Sequence, residues 1–477
     1  MEEEKPSVIS KVARFIPTIE KSTYKQSLRT RLKWTGIVLV AYLVMSFIPV
    51  YGIVPSTYEQ FRFLEIVLGS KFGSLMTLGI SPIVTAGIIL QLLVGSKIVN
   101  WDMTDPEGRK KFQTWNKVLS VVFCFASAAA YIFAGALPVA GGTSIAVLVI
   151  LQLAAGGLIV ILLDDIIAKW GVGSGVSLFI AAGVSTQIGI RLLSPFPSTC
   201  KSLQFFTCIP SSSNPPIGLV WQFFMSSLVG NTLLMLQSII PILSTIAVFL
   251  VVAYIQDIEV NVPLSFSALR GFGRTWPLKL LYTSNIPVIL AAALVANFQL
   301  MGRIGLTPQN GLNCGPLGCY DTQGNAVSGL VYYLSTPSSF LIDAVTRGIT
   351  SVDVARAMIH ILLFAVLATV FSIFWISTSG MDAKSIAEQI ESIGMQIPGY
   401  RRDARTMEAV LNKYIPYLAF LGGLFVGLLA AVADITAAIG TGTGILLTVM
   451  IIYQYYEQLS MENLEEAPPI VRKVIGE

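Results

Sequence analysis

DIIAKWGVGSGVSLFI (165–180) and DITAAIGTGTGILLTV (434–449) are two copies of one pattern, and their relative orientation decides the fold. Aspartate, isoleucine, alanine, three glycines and a leucine recur in register, with Ser/Thr and Val/Ile exchanges elsewhere. If an odd number of membrane crossings separates them, the copies are antiparallel. The chain is then two half-bundles facing each other across a central seam, the architecture of a conduit.

Composition supports membrane crossings. The 477 residues are 54% hydrophobic and 12% charged, with a mean hydropathy of +0.72. Soluble domains carry about a quarter charged residues, so a chain of this length at half that level is multi-spanning rather than a globular core with a tail. The net charge of +4 does not point to nucleic acid, because basic residues collect in cytoplasmic loops. The first thirty residues are polar, carry both signs and lack a cleavable signal pattern, so they read as a cytoplasmic tail.

Runs of about 20 apolar residues cross a bilayer. Ten occur, at about 34–54, 75–94, 118–137, 143–163, 172–193, 235–255, 282–301, 357–376, 414–432 and 436–456. With the N-terminus inside, 24 of the 31 Lys and Arg residues fall in inner segments, which is the asymmetry expected of cytoplasmic loops. Both termini are then cytoplasmic. Span five runs outward and span ten inward, so the repeat is inverted. A weaker echo joins SPIVTAGIILQL around Pro82 to NIPVILAAALVA around Pro287, the second helix of each half. The expected fold class is an all-α membrane protein with ten transmembrane helices in two five-helix halves around a pore. Five-helix inverted repeats also build secondary transporters, so symmetry alone leaves channel and carrier open.

Ion-coupled carriers place ionisable groups near the midplane, and the spans hold almost none. Asp164 and Asp165 stand at the inner end of span four, Asp434 in the outer turn before span ten, and Glu457 just past span ten. The single histidine, His360, reads as a helix-end residue facing a loop. No GxxxxGK[ST] motif is present for ATP, and GVGSGV and GTGTGI merge into membrane helices. Hydrolytic or zinc chemistry lacks its residues, and neither paired aspartates nor a Ser–His pair lies deep in the spans as an intramembrane protease needs. No enzyme activity and no cofactor are expected.

Residues four apart share a helix face. Ile80 and Val84 form such a pair in span two and Val176 and Ile180 in span five, to which Ile289 and Leu447 add spans seven and ten. Convergence of these faces makes an aliphatic ring that gates by dewetting; ordinary helix packing satisfies the same spacing. LEIVLGSKFGSL, from Leu64 to Leu75, is too short to cross and is broken by Glu65, Gly69, Lys71 and Gly73. It reads as a stopper for the pore or as a plain amphipathic loop helix. Two long basic inner loops carry Arg270, Arg274 and Lys279, and Lys384, Arg401, Arg402, Arg405 and Lys413. Their charge follows the positive-inside rule; their length and glycines point further, to phosphate contacts on an RNA-rich particle. Cys200, Cys208, Cys314 and Cys319 lie in the two large external loops, where an oxidising exterior permits bridges. Cys200–Cys208 and Cys314–Cys319 are the pairs expected, with other pairings open; Cys124 reads as an inert packing residue in span three.

LGISPIVTAGIILQLL, DPEGRKKFQ, KWGVGSGVSLFIAAGV, PLKLLYTSNIPVILAAAL, STSGMDAKSIAEQI and GTGTGILLTVMIIYQYYEQL together resemble the SecY family, the pore subunit of the Sec protein-conducting channel, in its archaeal and eukaryotic branch. The likeness spans about residues 21–459 in order. It implies an hourglass pore with Ile80, Val84, Val176, Ile180, Ile289 and Leu447 in the pore ring. It implies a plug made of Leu64, Glu65, Ile66, Val67, Leu68, Gly69, Ser70, Lys71, Phe72, Gly73, Ser74 and Leu75. Spans two and three against seven and eight become a lateral gate, with Thr85 and Asn285 at polar gate positions. In span three FCFASAAA leaves only Ser127 for that polarity, a departure from the family's habit. The basic loops match docking surfaces for a ribosome with its nascent chain, with Arg401 at the family's characteristic arginine.

The implied layout is a cytoplasmic tail (1–33), an N-terminal half (34–193, plug about 58–75) and an external loop (194–234). A C-terminal half follows (235–457, cytoplasmic loops about 257–281 and 378–413), then a cytoplasmic tail (458–477). The implied partners are two small single-span Sec subunits completing a heterotrimer, the ribosome, signal sequences and membrane lipid. The implied location is the archaeal cell membrane, with the endoplasmic reticulum membrane as alternative.

Overall fold

The computed structural model describes residues 19–20, 22–24, 26–53, 71–103, 105–133, 135, 137–197, 215–266, 273–279, 285–303, 305–309, 312–321, 326–337, 340–392, 395–396 and 403–466. The first half of the chain supplies α1 (Leu28–Ser46), α2 (Ser81–Gly95), α3 (Pro106–Phe133), α4 (Thr143–Trp170) and α5 (Gly175–Leu193). The second supplies α6 (Leu219–Val229), α7 (Thr232–Gln256), α8 (Ile286–Met301), the short α9 (Leu330–Leu334) and α10 (Phe340–Thr346), and α11 (Ser351–Ser379). It ends with α12 (Ala383–Ser392), α13 (Ala404–Leu411), α14 (Ile415–Ile435) and α15 (Gly442–Glu466).

The ten expected spans correspond to α1–α5, α7, α8, α11, α14 and α15. Among the described residues, six stretches are long and apolar enough to cross a membrane: Pro106–Phe133, Thr143–Trp170, Gly175–Leu193, Thr232–Gln256, Ser351–Ser392 and Arg405–Ile435. The shorter α2 and α8 each carry proline in the first turn, where its missing N–H has no intrahelical partner to lose.

Helix limits depart from the apolar runs where local chemistry takes over. The helix of span three begins at Pro106 rather than 118, its first turns being polar. That of span eight begins at Ser351 rather than 357, fixed by a capping box between Thr350 and Asp353. That of span two begins at Ser81 rather than 75, because residues 71–80 form turns. Segment 194–234 contains the apolar helix α6, only 11 residues long. Segment 458–477 begins as helix, since α15 runs on to Glu466.

In the N-terminal half α2, α3 and α4 pack in sequence, with α1 against α4. In the C-terminal half α11 lies along α14 in the closest of the helix pairings. Gly423 and Gly427, four apart on α14, meet α11 directly: an added Cβ at Gly427 would stand 2.7 Å from the Phe364 carbonyl oxygen. Small residues at this spacing let membrane helices approach backbone to backbone. The halves meet where α2 touches α8 and α11, and where α5 touches α15.

Two small sheets cap the bundle. β1 (Glu259–Phe266) pairs antiparallel with β2 (Gly273–Lys279) and, through Ser265↔Gln396 and Phe266↔Met395, with β7 (Met395–Gln396). The two basic loops therefore join in one sheet. β3 (Thr307–Gln309), β4 (Leu312–Gly315), β5 (Gly318–Tyr320) and β6 (Ala326–Gly329) form an antiparallel meander in the other loop region.

Candidate functional site

The apolar seam draws its wall from four helices. Ile80 precedes α2 and Val84 lies within it, Ile180 is on α5, Ile289 on α8 and Leu447 on α15. All five are buried in one continuous hydrophobic cluster, and Val176 packs against it, partly exposed. Ile80, Ile180 and Leu447 are 0% exposed, so these faces are withdrawn from water. That cluster is the main hydrophobic core of the molecule, and it takes aliphatic and aromatic side chains from both halves.

Of the segment read as a plug, Leu64, Glu65, Ile66, Val67, Leu68, Gly69 and Ser70 lie outside the described residues. The rest turns back into the bundle. Val50 N–H donates to the Gly73 carbonyl at 3.0 Å and Leu75 N–H to the Ile48 carbonyl at 2.9 Å. Phe72 meets Tyr131 edge to face at 5.5 Å, and Lys71 stands 4.0 Å from the Phe47 ring centroid. Phe72, Ser74, Met76 and Leu78 are buried, so this stretch leads directly into Ile80 of the seam.

Between the halves, Thr85 on α2 accepts a hydrogen bond from Asn297 Nδ2 on α8 at 3.2 Å. Asn297 is not among the residues the sequence reading singles out; its signal is an amide well inside span seven, which also carries Asn285 and Gln299. Asn285 is buried, and its side-chain NH2 has no hydrogen-bond partner among the described residues. Ser127 is half-buried on α3.

His360 corrects an expectation. It is no loop-facing residue: its side chain is 0% exposed, and its Nε2 stands 3.3 Å from Asp434 Oδ2. Asp434 in turn accepts from Thr443 N–H at 2.7 Å and from Thr443 Oγ1 at 2.6 Å. This network ties α11, α14 and α15 together and offsets the cost of a carboxylate among apolar side chains. In the first half the two aspartates divide the work. Asp164 accepts from Val176 N–H at 3.1 Å, while Asp165 pairs with Lys117 and Lys169, each at 3.0 Å, and accepts from Ile19 N–H at 3.1 Å.

At the hairpin end, Lys279 pairs with Glu457 of α15 and lies 4.8 Å from the Tyr453 ring centroid. Tyr453 donates to Asp257 at the base of the hairpin, and Tyr455 donates to the Ser174 carbonyl of the other half at 2.9 Å. Glu457 thus anchors the β1–β2 hairpin to the helix that bears Leu447. Lys384 and Arg405 are exposed on α12 and α13, which pack through a separate cluster of Ile386, Ile390, Met407 and Leu411. Arg274 lies on β2; Arg270, Arg401 and Arg402 lie outside the described residues.

In the other end's sheet, Cys314 and Cys319 face each other across β4 and β5 and are disulfide-bonded. Burial pushes the Tyr320 phenol above its ordinary value, opposed by the Arg303 charge 4.8 Å from its ring centroid. Cys200 and Cys208 lie outside the described residues, and Cys124 is free and buried.

Two half-bundles of apolar helices, sharing one hydrophobic core and bridged by Thr85 and Asn297, define a multi-spanning helical membrane protein of the channel-forming class. Known proteins make this specific. The family model SecY matches residues 74–456, and the model for the plug domain of Sec61p matches residues 40–73. The chain belongs to the SecY family. The protein translocase subunit SecY of Pyrococcus furiosus is 42% identical over 98% of this chain and 99% of its own. That of Methanocaldococcus jannaschii is 41% identical over 97% and 98%. The solved structure of a protein conducting channel is 40% identical, covers 96% of this chain and 97% of its own, and superposes with a TM-score of 0.80. Sec61 in the canine ribosome-channel complex from the endoplasmic reticulum is also 40% identical, with the same coverage and a TM-score of 0.77. The plug match begins at residue 40, well before the segment read as a plug from sequence, and so takes in the end of α1.

Proposed function

We propose that this chain is the pore subunit of a channel that passes unfolded secretory polypeptides across a membrane and releases hydrophobic segments sideways into lipid. The observation that supports it is that Ile80, Val84, Ile180, Ile289 and Leu447, drawn from both halves, are all buried in one hydrophobic core. A ring without charge or hydrogen-bonding groups suits a substrate defined by being an extended chain rather than by its side chains. The ring's side chains are hydrocarbon and lack the ionisable groups that ion coupling uses, which weighs against the secondary-transporter alternative.

Each part has a role in this scheme. The stretch ending at Leu75 is the plug that leaves when a chain enters. The Thr85–Asn297 bridge, together with Asn285 on the same span as Asn297 and Ser127 on span three, is the polar bar of a lateral gate that a signal sequence wedges apart. Arg270, Arg274, Lys279, Lys384, Arg401, Arg402 and Arg405 dock a ribosome through phosphate contacts, which places the β1–β2 hairpin and both termini in the cytoplasm. Two small single-span subunits complete the channel. The archaeal relatives support the cell membrane as its location.

The test is transport by the full chain, reconstituted with its small subunits and supplied with ribosomes bearing a secretory nascent chain. Protection of that chain from added protease, lost when detergent opens the vesicles, is the expected result. A chain that remains fully cleavable while the channel is folded and ribosome-bound would refute the proposal.

A further inference from the structure

We infer that Asp164 and Asp434 are positioning residues for the pore ring, each pinning the first turn of one pore helix so that the ring closes. This rests on the ring being the seal. The two contacts are equivalent although the halves differ in sequence. Asp164 Oδ1 accepts from Val176 N–H at 3.1 Å, and Asp434 Oδ1 accepts from Thr443 N–H at 2.7 Å. Val176 and Thr443 are each the second residue of their helices, α5 and α15. Four residues on from each capped amide, one turn along the same face, stand Ile180 and Leu447, both 0% exposed in the seam.

A helix's first N–H groups lack intrahelical partners, and a carboxylate there also meets the positive end of the helix dipole. What is unusual is the source of the carboxylate. It comes from the preceding membrane helix, so the bond fixes one helix against another rather than merely ending a turn. The glycines of the repeat make room for it. A Cβ at Gly175 would stand 2.6 Å from Asp164 Oδ1, and one at Gly442 would stand 1.8 Å from the Ala433 carbonyl carbon. Gly173 and Gly440 turn the chain through φ of +71° and +92° just ahead of each helix.

The halves differ in how the cap is held. Asp434 is also bound by Thr443 Oγ1 and by His360, whereas Asp164 stands beside Asp165, which is taken up by Lys117 and Lys169. Loss of Asp434 therefore frees more of its surroundings than loss of Asp164.

The experiment uses the full chain with its small subunits in chloride-loaded vesicles, without substrate. Asp164→Ala and Asp434→Ala vesicles are expected to lose the chloride gradient while wild-type vesicles hold it, Asp434→Ala faster. Asp164→Asn, which keeps an acceptor oxygen for the Val176 N–H, is expected to hold the gradient as wild type does. Sealed vesicles from folded alanine variants would overturn the inference, and so would an Asp164→Asn leak equal to that of Asp164→Ala. If the alanine variants do not fold, residue-resolved hydrogen exchange on wild type decides. Slow exchange at the Val176 and Thr443 amides supports the caps, and free exchange there overturns them. Ile80→Gly vesicles run alongside separate the two failures. If they leak while the aspartate variants stay sealed, only the caps are wrong; if they too stay sealed, the ring is not the seal.

Discussion

Gly427→Ala adds one methyl group where α14 lies against α11, and its cost follows from the geometry. The new Cβ would stand 2.7 Å from the Phe364 carbonyl oxygen and 2.9 Å from both Ala365 Cα and Ala368 Cβ. Carbon contacts are comfortable at about 3.5–4.0 Å, so α14 must recede from α11 by roughly 1 Å. Two of the three atoms are backbone, and no flexible side-chain end can yield in their place. Overpacking of this kind costs about 1–3 kcal/mol. Alanine's better helix propensity, about 0.8–1.0 kcal/mol, acts in the opposite direction. Gly36→Ala and Gly189→Ala isolate that second effect, because nothing lies within 4 Å of an added Cβ at either position. The expected difference in unfolding free energy between Gly427→Ala and these controls is therefore about 1–3 kcal/mol, the propensity gain cancelling. Unfolding in mixed micelles titrated with SDS, followed by helical circular dichroism, measures it. A Gly427→Ala shift equal in sign and size to the controls would refute the claim that α11 and α14 meet backbone to backbone.

Three other outcomes follow from the same coordinates. His360→Leu leaves Asp434 buried with its Thr443 bonds alone; because removing one partner of a buried pair costs up to about 3–5 kcal/mol, the same titration should show a loss, smaller than that limit, and no loss would contradict the pairing. Alkylation without reductant should leave Cys314 and Cys319 unmodified by intact mass, whereas labelling of both would contradict their bridge. Glu457→Gln removes the charged partner of Lys279 at the hairpin base and should weaken ribosome binding by loosening the hairpin; unchanged binding would show that the hairpin is held without this ion pair.

Hydropathy alone made the ten spans legible, because a membrane helix must be long and apolar whatever it packs against. It failed where those demands lapse. The helix α6 has 11 residues and looks like loop, and the first turns of α3 are polar and look like linker. The repeat 165–180 against 434–449 points to α5 and α15, yet its register pairs Leu178 with Leu447. Measured from the capped amides, Ile180 matches Leu447 instead. No sequence rule chooses Asp164 over its neighbour Asp165 as the cap; the choice is made by which carboxylate faces α5 and which faces Lys117. His360 and Asp434 are 74 residues apart and meet only because α11 lies along α14. The joining of the two basic loops rests on a two-residue strand, Met395–Gln396, too short to leave a pattern. Thr85 was visible as a polar residue in an apolar span, but its partner Asn297 lies 212 residues away and is found only when the halves are brought together.

The central claim is that the buried side chains of Ile80, Val84, Ile180, Ile289 and Leu447 form the seal of a conduit. Ion leak through vesicles carrying the channel with Ile80, Val84, Ile180 and Ile289 replaced by Gly or Ser tests it most directly. The account predicts that these vesicles lose a small-ion gradient in the absence of any translocating chain, while vesicles with the unsubstituted ring retain it. Conductance unchanged by replacing all four in a folded channel would contradict it.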